Sequence, residues 1–156
     1  MSKKELLIYG IGNPSRGDDG LGFEFVRRIS EGSTFDWNHN FQLNVEDAEL
    51  VAGYRSVIFV DASIKVASSF RLRPISGKGG ARFTTHSQSP EGVLAMCSSL
   101  FNRSPDAYIL EIRGTVFDLG EDLSPQAREN LDKAWEWFQS RFSILSGHLQ
   151  TSDIGI

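Results

Sequence analysis

The chain has 156 residues, with 16 basic and 20 acidic side chains and a formal net charge of -4. This length fits one domain whose core needs no staples, the lone cysteine, Cys97, excludes an internal disulfide framework, and the absence of a basic stripe argues against a nucleic-acid partner. No apolar run reaches the roughly 20 residues that span a bilayer, and the opening MSKKELLIYG has too short an apolar stretch for a signal peptide, so a cytoplasmic location with no membrane partner is expected.

In chain order, Leu6 to Tyr9 form a short apolar run closed by Gly-x-Gly, the pattern of a buried strand entering a tight turn. The loop from Gly10 to Gly20, GIGNPSRGDDG, carries Asp18 and Asp19 side by side. Leu21, Phe25, Val26 and Ile29 then recur at helical spacing, with Arg27 and Arg28 placed toward the negative end of that helix. A polar connection, Gly32 to Asn40, holds Trp37 and His39, and the alternation from Phe41 to Val45 predicts a strand. Asp47 to Tyr54 reads as a short helix. Val57 to Val60 reads as a strand covered on both faces, with Asp61 directly behind it.

Phe70 to Leu72 predicts a further strand, ahead of a Gly-, Ser- and Thr-rich loop from Ser76 to Ser89 that contains His86. Ser89 and Pro90 open a helix as cap and first residue, with Val93, Leu94, Cys97, Leu100 and Phe101 on its buried face. Ala107 to Ile112 predicts a strand, and Gly114 to Asp122 is irregular. Ser124 and Pro125 cap and start the last helix, whose Ala127, Leu131, Ala134, Trp135, Phe138 and Phe142 make an apolar stripe. Trp137 points away from that stripe, toward the tail or a partner. The tail, Ser143 to Ile156, has no clear pattern and stays unassigned.

Strands alternating with helices predict an α/β fold over 1–156, a three-layer sandwich with a mainly parallel twisted sheet between helices. Ligands in such folds gather at the carboxyl ends of the strands. Asp18, Asp19 and Asp61 all fall at that edge. The glycine loop departs from the dinucleotide fingerprint because Ser15 stands where a third glycine belongs. The acidic pair would also repel a pyrophosphate, so a cation or polar substrate suits this loop better.

Structural uses compete for each residue: a turn or N-cap for one of Asp18 and Asp19, a strand-end cap for Asp61, a solvated loop for His86. His39 and His148 are expected at the surface. Cys97, on the apolar face of its helix, behaves as a small hydrophobe and not as a nucleophile.

Four blocks, GIGNPSRGDDGLG, QLNVEDAELVAGYRSVIFVDAS, TTHSQSPEGVL and GTVFDLGEDLSP, together resemble the hydrogenase maturation proteases, in order and from Leu6 to about Phe142. The resemblance implies a twisted sheet between helices and a cytoplasmic, aspartic-type endopeptidase. It implies as partner the large-subunit precursor of nickel-iron hydrogenase, whose short C-terminal extension is removed once the metal centre is in place.

It also implies a metal-binding site formed by Asp19, Asp61 and His86, with Asp18 matching the acidic residue just before the first ligand, so that Asp18, Asp19 and Asp61 are the expected catalytic carboxylates. Two carboxylates and an imidazole suit Ni, Zn or Mn. The resemblance selects nickel, carried in by the substrate on its cysteines, with no tightly bound organic cofactor. Hydrolysis would use a water activated by a carboxylate or polarised by the metal. Two other readings remain open: a non-catalytic metal-sensing chaperone docking on the same precursor, and a Rossmann-type nucleotide-binding protein.

Overall fold

The computed structural model describes residues 4–78 and 88–142. The expectations at His86, at His148 and for the tail 143–156 lie outside the described residues. β1 (Lys4–Ile11), β3 (Tyr54–Ser63) and β5 (Asp106–Arg113) form the middle of a five-stranded sheet. β2 (Asp36–Asn40) flanks β1, and β4 (Phe70–Ile75) flanks β5 as the antiparallel member, giving the order β2, β1, β3, β5, β4.

Alternate side chains leave the sheet on opposite faces. Leu6, Ile8, Ile58, Val60, Leu110 and Ile112 pack under α1 (Leu21–Gly32) and α4 (Pro125–Arg141). Leu7, Tyr9, Val57, Phe59 and Ile109 pack on the other side, under α2 (Asp47–Ala52) and α3 (Pro90–Phe101). The inner strands are therefore apolar at nearly every position, as expected of a sheet covered on both faces. This is the expected three-layer α/β sandwich. The helix starts also fall where the sequence places them: Ser89 Oγ accepts from Gly92 N at 3.0 Å and Ser124 Oγ from Ala127 N at 3.2 Å. No helix among the described residues is long and apolar enough to cross a membrane.

Five details differ from the sequence reading. The edge strand is Asp36–Asn40, not Phe41 to Val45; it pairs with β1 alone, so its ladder requires no apolar alternation. Leu43 makes only an isolated antiparallel bridge, to Gln88. β3 continues through Ser63, which puts Asp61 inside a strand. α1 runs on to Gly32, so Arg27 pairs along the helix with Glu24 at 2.7 Å and Glu31 at 3.3 Å, while Arg28 reaches Asp132 of α4 at 2.8 Å. In α3, residues 98–101 are all exposed, so Leu100 and Phe101 clear the core and Met96 fills it instead. Trp137 does not await a partner: its ring packs 5.6 Å from Phe70 and 6.1 Å from Phe142, centre to centre.

Tyr9 ties the sheet to α2. Its hydroxyl is buried and donates to Asp47 Oδ1 at 2.6 Å, while Asp47 Oδ2 accepts from Asn44 N at 2.7 Å. Tyr9→Phe removes one donor from a buried carboxyl and is expected to cost about 2 kcal/mol. Urea denaturation of the two proteins measures it, and an unchanged midpoint would refute the link.

Candidate functional site

The site forms where β1 and β3 end. Two glycines permit it. Gly12 follows β1 at φ +129°, a conformation in which a Cβ would land on the Asp19 backbone carbonyl. Gly22, in the first turn of α1, lies so close that a Cβ there would sit 2.5 Å from both Ile11 O and Val60 O. The helix therefore rests directly on the strand ends, and the turn before it, Gly17–Gly20, is held above β3.

Asp19 and Asp61 line one open cleft of about 350 Å³ together with Gly12, Phe41, Leu43 and Pro90. The Asp19 carboxylate is aimed by the backbone, accepting from Asn13 N at 2.8 Å. Asp61 Oδ1 accepts from Ala62 N at 2.9 Å. Burial pushes the Asp61 carboxyl up to about 7, and the negative charges of Asp19 and Glu111 add to that rise against the pull of the Ala62 amide. Asp61 thus exchanges its proton near neutrality, which suits a group that must gain or lose one during a reaction.

Glu111 is a residue the sequence reading passed over. It lies opposite Asp61 in the β3–β5 register and opposite Arg71 in the β5–β4 register. Its Oε1 accepts from Arg71 Nη2 at 2.8 Å and from Arg73 Nε at 2.9 Å. Burial alone would raise Glu111, but the two guanidinium groups hold it below the usual carboxylate range. Two carboxyls side by side are in this way driven apart in acidity, one kept ionised and one kept near neutrality. The signal was present in the sequence as Arg-Leu-Arg in one strand and an isolated Glu in another, yet only the register aligns them.

Asp18 is not part of this cleft. It is fully buried: Oδ2 accepts from Thr115 N at 2.8 Å, Val116 N at 3.0 Å and Ser124 Oγ at 2.9 Å, and Oδ1 from Ser124 N at 2.7 Å. Burial would raise its pKa, but the amides of Thr115, Ser124 and Val116 override that and keep Asp18 below the ordinary range. Neither aspartate caps α1, whose N-cap is Gly20 without a side-chain bond. Asp18 instead fastens the glycine loop to the irregular 114–124 segment, a contact doubled by Gly17 N to Glu121 O at 2.8 Å and Asp18 N to Val116 O at 2.7 Å.

His39 is half-buried and not free at the surface. Its Nε2 lies 2.9 Å from Gly12 O, and its ring meets Phe23 edge-on at 4.9 Å. Cys97 is buried against Ala48 O at 3.3 Å, and burial pushes its thiol up to about 11, so it is protonated at neutral pH as expected of an inert cysteine. Among the described residues, no three His, Cys, Asp or Glu side chains are grouped to hold a metal ion. Asp19 and Asp61 supply two oxygen donors in the cleft, and Gln88, two residues after His86, lines the same cleft.

The fold places the chain in a recognisable structural class. It superimposes on a [NiFe] hydrogenase maturation protease, HycI, from Thermococcus kodakarensis with a TM-score of 0.66 and 20% identity, over 89% of this chain and 92% of that one. The hydrogenase maturating endopeptidase HybD from E. coli matches with a TM-score of 0.65 and 16% identity, over 87% and 90% of the two chains. A hydrogenase 2 maturation peptidase from a Thaumarchaeota archaeon matches at 0.63 and 20% identity, over 90% and 99%. No family model and no curated protein matches the sequence. At these identities the likeness is one of fold, the fold the sequence resemblance led us to expect.

Proposed function

We propose that this protein is an endopeptidase that trims the C-terminal extension from the large-subunit precursor of nickel-iron hydrogenase after nickel has been inserted. The observation that carries this reading is the meeting of Asp19 and Asp61 in one cleft, with Asp61 poised near neutrality. The fold shared with maturation proteases supports the same assignment.

In this reading nickel belongs to the substrate, which brings it on its own cysteines. Asp19 and Asp61, with His86, offer an oxygen and nitrogen donor set that suits nickel, and engaging it places the scissile bond in the cleft. Bound there, nickel would polarise the carbonyl to be attacked. Asp61 in its ionised form takes a proton from the attacking water and returns it to the departing amine. Asp19, fixed by the Asn13 amide, orients the same group of atoms. Asp18, expected among the catalytic carboxylates, serves here to hold the turn that presents Asp19.

Purified protein incubated with nickel-loaded precursor should convert it to the faster band on a denaturing gel, and should leave nickel-free precursor uncut. Binding without shortening would favour a metal-sensing chaperone over a peptidase. Failure both to bind and to cleave the nickel-loaded precursor would remove the reading altogether.

A further inference from the structure

The two edges of the sheet are finished differently. On β4 the residues facing away from β5 are Phe70, Leu72 and Pro74, since Ser69 O accepts from Arg113 N at 2.9 Å and sets the alternation. Two of their backbone groups are disabled as pairing sites: Pro74 has no N–H, and Phe70 O accepts from Ser68 Oγ at 2.7 Å. This is how a sheet avoids unwanted strand addition.

β2 has no such guard. Gly12 N donates to Asn40 O at 3.1 Å, so Asp36, Asn38 and Asn40 turn their backbone toward β1. Trp37 and His39 then turn theirs outward, and among the described residues nothing hydrogen-bonds to those groups. No Pro, Lys or Arg interrupts the strand. Beside the open edge stand Trp37, 50% exposed, and Phe41, 56% exposed.

The edge also leads somewhere. Phe41, the next residue after β2, lines the cleft that holds Asp19 and Asp61. His39 joins the edge to the glycine loop through its contact with Gly12 O. We infer that β2 is the docking strand for the substrate: an extended segment of the precursor adds to the sheet alongside Trp37 and His39, packs on Trp37 and Phe41, and is thereby fed into the cleft. This inference rests on the peptidase reading and identifies how that substrate is held. Backbone pairing supplies affinity with little demand on side-chain sequence, and the aromatic pair supplies the choice. A segment paired with His39 lies about two residues, or roughly 7 Å, from Phe41, so the edge and the cleft are within reach of one short extended stretch.

Amide hydrogen exchange on the Asp61→Asn protein mixed with nickel-loaded precursor tests this. The Trp37 and His39 amides should exchange fast in the free protein and slow at least tenfold on binding, while those of Asn38 and Asn40, already bonded to β1, change little. Trp37→Pro, which removes an outward N–H and the exposed indole but no bond to β1, should keep the wild-type melting temperature and raise KM about tenfold with kcat unchanged. If the wild-type protein cleaves the precursor while both outward amides stay unprotected in the Asp61→Asn protein that has bound it, or if they are already protected in the free protein, the docking strand is refuted and the peptidase stands. If the wild-type protein neither binds nor cleaves the precursor, both fall together.

Discussion

Asp61→Asn is expected to abolish trimming of the precursor and, at the same time, to make the protein more stable above neutral pH. The first effect follows if, as proposed, Asp61 is the group that accepts the proton, a loss of about 100- to 10,000-fold in rate. The second follows from linkage. The folded protein holds the Asp61 proton up to about pH 7, against a usual value of 3.8, so ionising this carboxyl costs folding energy.

That cost is absent below about pH 4, grows between about pH 4 and pH 7, and is complete above. Asparagine carries no charge and its amide oxygen still accepts from Ala62 N, so the variant escapes the cost. A gain of about 1–2 kcal/mol at pH 8 is expected, with water in the open cleft screening the remainder, or about 2–8 °C in melting temperature. Thermal melts at pH 4 and pH 8 make the comparison. An asparagine variant no more stable at pH 8 than the wild type would show that Asp61 is an ordinary surface carboxylate.

Asp18→Ala is expected to cost about 3–5 kcal/mol, the largest stability loss of any single polar substitution discussed. Three backbone amides and the Ser124 hydroxyl lose one shared acceptor inside the protein. Asp18→Asn should fare little better, because its NH₂ would be turned toward an amide that also donates. The folded Asp18 titrates below its ordinary value, so its contribution is present above about pH 4 and is lost as the pH falls further. Urea denaturation at pH 7 and pH 3 should therefore show a wide gap between wild type and variant that narrows in acid. An Asp18→Ala protein that keeps wild-type stability yet fails to cut the precursor would return Asp18 to the catalytic group.

The two aspartates differ by one position and were indistinguishable in the chain. Both stand in a glycine loop behind a strand, and both had an equal claim to a cap. The 3-10 turn at Gly17–Gly20 rotates them apart, so that one side chain enters the 114–124 segment and the other the cleft. Nothing local selects which does which, because the partners of Asp18 come from residues about a hundred positions away.

Elements buried on a whole face were legible from the chain alone. The apolar runs of β1 and β3, the stripes of α1 and α4 and the Ser-Pro starts of α3 and α4 each express a requirement that acts over a few residues: burial of a face, or satisfaction of free helix amides. These sufficed for the α/β class and for the edge at which Asp19 and Asp61 lie. Tertiary structure alone decided that polar Asp-Trp-Asn-His-Asn is a strand, that Glu111 with two arginines sits beside Asp61, and that Asp18 is a fastener. The reason is the same in each case: register and distant hydrogen-bond partners are set by which strands become neighbours, and that is information no stretch of consecutive residues contains.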